Sequence, residues 1–256
     1  MLTIRKEQMD SFRSSALQAF ENDMVIHLAE FSPKLFTTVK EEQMRKVIRF
    51  GMNHADVYGF NFKGPVRLYL ELMMLFGSHF GTDPQYPWAN EILADTNTPQ
   101  MERAQQLYQH TCDYHQQVNG SGNDHTLRGI RNIAHFVEQP LTITEDNFIT
   151  DVLNQMILIY PEKTAYIGNE QLETLIKEGI ATAYKYDISM LRGRVWIIIL
   201  MSAFGHGCHD DLLYTWISRT LNDELIISSG ARVRRLENKS LTWLKHALDY
   251  FNKQDE

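Results

Sequence analysis

Residues 203–216 read AFGHGCHDDLLYTW, and within six positions they bring together His206, Cys208, His209, Asp210 and Asp211. Imidazole, thiolate and carboxylate are the side chains that bind zinc-type metals or move protons, so His206, Cys208, His209 and Asp211 form a candidate metal set. A Cys208–His pair is also a candidate nucleophile and base. Zinc sites draw ligands from two chain elements, however, and no second ligand pair stands out. The chain holds no HExxH, CxxC, GxSxG or GxxxxGK[ST] pattern. The alternative reading is a packed turn, in which Gly205 ends one helix, Asp211 caps the next, and Phe204, Tyr214 and Trp216 pack the corner.

The elements around this stretch decide between the two. Sliding the sequence along itself by 128 positions places EEQMRKVIRFGMNHADVYGF (41–60) on NEQLETLIKEGIATAYKYDI (169–188). The same shift places MMLFGSHFGTDPQYPWANEILAD (73–95) on MSAFGHGCHDDLLYTWISRTLND (201–223). Between Phe20/Phe148 and Asp95/Asp223, 18 of 76 positions are identical without a gap. That predicts an all-α chain of two tandem, pseudo-symmetric helical bundles from an internal duplication. The expected units are 1–120 and 141–256, with 121–140 as a linker carrying a short helix after NGSGNDH. The recurrence of LTI at 2–4 and 141–143 marks the start of each unit and is the one candidate for a short strand pair.

Within each unit the periodicity is helical. Met44, Val47, Ile48, Gly51, Met52, Ala55 and Tyr58 fall three and four apart, as do their counterparts Leu172 to Tyr186. Gly51 and Gly179 lie on the buried face, where a glycine costs about 1 kcal/mol against alanine and fits a close helix–helix approach. A helix ending at Phe204 is apolar all round through Trp196–Leu200 and reads as the centre of its bundle. Pro87 opens a helix carrying Trp88, with Trp216 its equivalent.

The duplication favours the turn over the metal set. Of the five polar residues only Asp211 has an identical counterpart, Asp83; the residues shared by both copies are those of a turn. Positions that differ between the copies are where one unit has room for a separate task. A binder uses aromatics and charge at the cleft between units, so a partner-binding surface is expected there, on Tyr86, Trp88, Tyr214 and Trp216 and on the divergent His206 and Asp210.

Composition narrows the classes. With 25 basic and 32 acidic residues the formal charge is −7, which disfavours nucleic acid and suits a basic protein partner. Two cysteines exclude a disulfide framework and fit a reducing, cytoplasmic location. The first 17 residues mix charges without an apolar core, so no secretory signal is expected. The most apolar run, VWIIILMSAF, is half the length of a membrane span.

The segments IRKEQM (4–9), EEQMRKVIRFGMNHADVYGF, LYLELMMLFGSHF (68–80) and DPQYPWANEIL (83–93) resemble a family of bacterial proteins encoded near type VI secretion genes for PAAR tips, VgrG spikes and toxin effectors. The second unit is similar to the two-copy members. The resemblance carries a fold signature and transfers no catalytic residue or cofactor. It implies a non-enzymatic accessory of a secreted effector: an immunity protein that neutralises a toxin, or an adaptor that loads one onto the spike. A metal-dependent hydrolase at 206–211 and a helical homo-oligomer are the alternatives.

Overall fold

The computed structural model describes residues 6–252. Among them there are thirteen α-helices and no strand. The chain is all-α, as expected. Residues 141–143 are irregular, and residues 2–4 lie outside the described residues, so no LTI pair is seen.

The helices are α1 (Lys6–Phe31), α2 (Pro33–Val39), α3 (Glu41–Val57), α4 (Lys63–Phe76), α5 (Pro87–Ala94), α6 (Gln100–Tyr114), α7 (Asp124–Glu138), α8 (Phe148–Ile159), α9 (Pro161–Ile167), α10 (Asn169–Lys185), α11 (Leu191–Phe204), α12 (Thr215–Leu221) and α13 (Ser229–Asn252). The 128-residue offset recurs in their boundaries. Adding it to both ends of α2, α3 and α4 gives α9, α10 and α11, and α8 matches the last twelve residues of α1. Backbone angles follow suit. Ser32 and Tyr160, each preceding a proline that opens a helix, sit at φ/ψ −139°/72° and −138°/70°. Gly77 and Gly205, which end α4 and α11, share φ 93°.

Proline at the first helical position explains why α2, α5 and α9 begin where they do, because its missing N–H is one of the donors left without an intrahelical partner anyway. The two mid-helix glycines let helices touch. A Cβ on Gly51 would lie 2.5 Å from both Leu70 Cδ2 and Met73 Sδ of α4, and one on Gly179 would meet the Ile198 side chain and lie 3.3 Å from its Cα on α11. Helix α11, buried from Gly193 to Met201, is the central helix of the second half.

The halves do not stand apart. Their buried apolar residues form one continuous cluster. Helix α6 continues through a π-helical turn (115–119) that packs on α9, while α3 packs on the turn at 212–214. Gln43 Nε2 donates to the Leu212 carbonyl at 3.1 Å, and the Tyr114 and Tyr166 rings meet edge-on at 5.2 Å.

Lys40, between α2 and α3, holds φ 69° and ψ 153°, a region natural to glycine, and the equivalent position 168 is a glycine at φ 86° and ψ 159°. A side chain in that region costs of order 1–3 kcal/mol. Lys40→Gly is expected to raise the free energy of unfolding by about 1 kcal/mol, read from urea denaturation, although glycine ordinarily destabilises.

Candidate functional site

The corner that follows α4 and the corner that follows α11 meet face to face. Gly77 and Gly205 back onto each other: a Cβ on either would lie 2.7 Å from the carbonyl oxygen of the residue before the other glycine, Phe204 or Phe76, and 3.6 Å from the other glycine's Cα. Glycine is required twice over here, by φ and by contact. The carboxylates then cross over. Asp211 Oδ2 accepts the Ser78 backbone N–H at 2.8 Å, and its Oδ1 accepts the Ser78 hydroxyl at 2.6 Å and the Leu213 N–H at 2.8 Å. Asp83 Oδ2 accepts the His206 N–H at 2.7 Å and Gln85 Nε2 at 3.1 Å, and its Oδ1 accepts the Gln85 N–H at 2.9 Å. Each aspartate caps its own turn and also binds the first residue after the opposite glycine. Burial pushes both carboxyls above their ordinary range, and these hydrogen bonds act against that rise.

The aromatic residues serve the same corners. Phe76 packs against Tyr86 at 4.5 Å and Trp88 at 5.9 Å; Phe204 meets Tyr214 at 4.8 Å and Trp216 at 5.9 Å. Tyr86, Trp88 and Tyr214 are buried and Trp216 is half-buried. As contacts for a partner these rings are largely covered, since their faces are spent on the corner phenylalanines.

The remaining candidates from the sequence scatter. His206 Nδ1 lies 3.0 Å from Glu178 Oε2 and its Nε2 lies 3.1 Å from Thr82 Oγ1. Asp210 is exposed, with Oδ1 3.3 Å from His79 Nε2. Cys208 is buried and its thiol is pushed well above its ordinary range by desolvation, then by the aspartates around it, which is the reverse of an activated nucleophile. The imidazole of His209 is held below the usual histidine range, mainly by burial. Among the described residues no group of three or more His, Cys, Asp or Glu is placed to hold a metal ion. His206, Cys208, His209 and Asp211 are close in sequence but turn to different partners. His206 and His209 line, with His79, Thr82 and Glu178, an open groove of about 360 Å³ to which Cys208 and Asp211 do not contribute.

A second site has no motif to announce it. Between the halves lies a cavity of about 560 Å³. Its walls are largely aromatic and aliphatic, including Tyr86, Tyr114, Tyr160, Phe204, Tyr214 and Trp243. Lys163, on α9, is 6% exposed within it. Its Nζ donates to the Ser202 carbonyl at 2.5 Å and stands 5.9 Å from the ring centroids of both Tyr86 and Tyr160. Desolvation brings the amine down to about 8, partly offset by Asp83. One signal in the sequence does mark it: the 128 offset pairs Lys163 with Leu35, a cation with a buried leucine.

Asp83→Ala and Asp211→Ala each leave buried N–H groups without an acceptor, at about 1–3 kcal/mol per orphaned donor. Because both brace one junction, the double variant is expected to cost less than the sum by more than about 0.5 kcal/mol in a denaturation cycle. For Lys163, the folded amine near 8 lies below the unfolded value of 10.5, so the folded state binds fewer protons between those values. The charge therefore destabilises the fold fully below pH 8, and stability recovers as pH rises toward 10.5. Lys163→Met is expected to be more stable than the native chain at pH 7, by roughly 2 kcal/mol, and the difference is expected to shrink from about pH 8 to 10.5 in thermal unfolding.

No protein-family model, no curated protein and no solved structure matches this chain.

Proposed function

We propose that this protein is a non-catalytic, protein-binding accessory of a bacterial type VI secretion effector module, acting as an immunity protein or an effector adaptor. The observation that carries a protein-binding role is the loop between α12 and α13. Leu225 and Ile227 are 92% and 96% exposed there, the two most exposed large apolar side chains among the described residues. The secretion setting rests on the sequence resemblance alone.

The loop is built rather than slack. Ile226, between the two, is buried; the Leu225 N–H donates to Asp223 Oδ1 at 3.1 Å and the Ile226 N–H to the Asp223 carbonyl at 3.1 Å. Arg232 reaches back to the Ile226 carbonyl at 3.0 Å and to the Tyr186 carbonyl at 3.0 Å. Two apolar side chains are thus held outward on a fixed support, which lowers the ordering cost of binding. The equivalent loop keeps the turn but not the tip: Asn97 N–H donates to Asp95 Oδ1 at 3.0 Å, with Asn97 and Pro99 at the positions of Leu225 and Ile227. Acidic Asp223 and Glu224 adjoin the tip, and the chain carries −7 overall, so the partner it fits is a basic protein with an apolar cleft.

Burying a leucine and an isoleucine is worth about 1.5–3 kcal/mol each. Co-expression with the products of neighbouring genes, followed by calorimetry, is expected to find one that binds. Leu225→Ser with Ile227→Ser should weaken it about a hundredfold or more and leave the thermal midpoint unchanged. Equal binding by the double variant, or no binder among the neighbouring products, overturns the reading.

A further inference from the structure

We propose that the cavity between the two halves is a binding site for an amphipathic monocarboxylate, whose carboxylate pairs with Lys163 and whose apolar tail lies against Phe204, Trp243, Ile130 and Leu244. The site is independent of the docking loop and of the secretion setting.

Lys163 is short of acceptors. An ammonium carries three donors. Among the described residues it makes one hydrogen bond, to the Ser202 carbonyl, and its other neighbours are the rings of Tyr86 and Tyr160. The one carboxylate acting on it is Asp83, whose oxygens already accept three N–H donors. No described carboxylate lies within ion-pair distance of Nζ. A buried cation so placed is costly unless an acceptor is supplied.

A purely architectural role is the natural competitor, since the Ser202 carbonyl lies in the last turn of α11, where helical carbonyls need partners. The first half argues against it. There the equivalent positions are Leu35 and Met74, and α4 ends at Gly77 with nearly the backbone angles of Gly205 while a leucine stands in the lysine's place. The corner closes with a leucine, so the lysine is not demanded by the corner.

The cavity suits a ligand. Its volume of about 560 Å³ falls within the range of about 300–1,000 Å³ typical of small-molecule sites, and its walls are mostly aromatic and aliphatic with polar side chains among them. Thr38, Ala203, His115 and His246 on its lining are exposed, so it opens to solvent. Among the described residues Lys163 is the one buried cation of the cavity and matches one negative charge; Lys34, also on the lining, is half-buried with its Nζ over the Tyr250 ring at 5.8 Å. A phosphate dianion would leave charge uncompensated against the rings, and a neutral ligand would leave the ammonium unpaired.

Octanoate and 1-octanol, equal in length and different in charge, serve as probes for calorimetry and thermal shift on the whole chain. The native protein is expected to bind octanoate at one saturable site at least tenfold more tightly than octanol. Lys163→Met, expected to fold at least as well as the native chain, should lose that preference and still take octanol. Ala203→Trp, at an exposed position on the lining, is expected to weaken both. Octanoate binding no tighter than octanol, octanoate binding unchanged in Lys163→Met, or no saturable octanoate binding would each overturn the proposal. Unaltered binding in Ala203→Trp would place the ligand outside the cavity and overturn it as well.

Discussion

The fold depends on a crossed pair of hydrogen-bonding carboxylates laid over two touching glycines. Asp83 and Asp211 each leave their own turn to accept the first N–H beyond the opposite glycine. Gly77 and Gly205 clear the space that makes the crossing reachable. Take the glycine contact away and the carboxylates no longer meet the opposite backbone; take the carboxylates away and buried N–H groups at the junction lose their acceptors. The aromatic triads of Phe76 and Phe204 then fill the volume behind each corner at nearly matching distances. Shape complementarity and polar satisfaction at the junction thus come from the same few residues, which are also ones the two halves share.

Much of this was legible in the residues, for a physical reason. Helical periodicity, proline at the first helical position and glycine at the last are local requirements, so they appear locally. Gly51 and Gly179 could be read as contact points because a glycine on a buried helical face costs stability unless a neighbouring helix comes close. The crossing of Asp83 and Asp211 could not be read. An offset of 128 says that two aspartates are equivalent, and equivalence does not say whose backbone each one caps. The cluster at 206–211 reads more strongly as a turn than as a metal set, because only Asp211 of its five polar residues recurs in the first half. The structure turns these residues to different partners: His206 to Glu178 and Thr82, and Asp211 to Ser78 and Leu213. Lys163 was hidden for a different reason. A repeat displays what its halves share, and a lysine aligned with a leucine is a difference.

Those differences have a pattern. At the corner, Ser78 and Phe80 of the first half correspond to His206 and Cys208. Leu35 corresponds to Lys163, and the polar tip at Asn97 and Pro99 to the exposed Leu225 and Ile227. In the last two cases the second half holds the chemically unusual member: a charge where apolar packing suffices, or apolar surface where a polar turn suffices. The first half shows that the corner closes and the turn forms without either feature.

The clasp also bears on how the added features work. Phe204 and Gly205, at the crossing, line the cavity that holds Lys163, so the cavity wall is set by the same contacts that join the halves. Helix α13 contributes Trp243, Leu244 and Ala247 to that wall, and its first turn begins where the exposed loop ends. Its Arg232 ties the loop to the body of the second half. The cavity and the exposed tip are thus held by the fold itself, so the binding proposed for each would cost little ordering entropy. The quality of contact would then set those proposed affinities: an acceptor for one ammonium in the cavity, and an apolar cleft for two side chains at the tip.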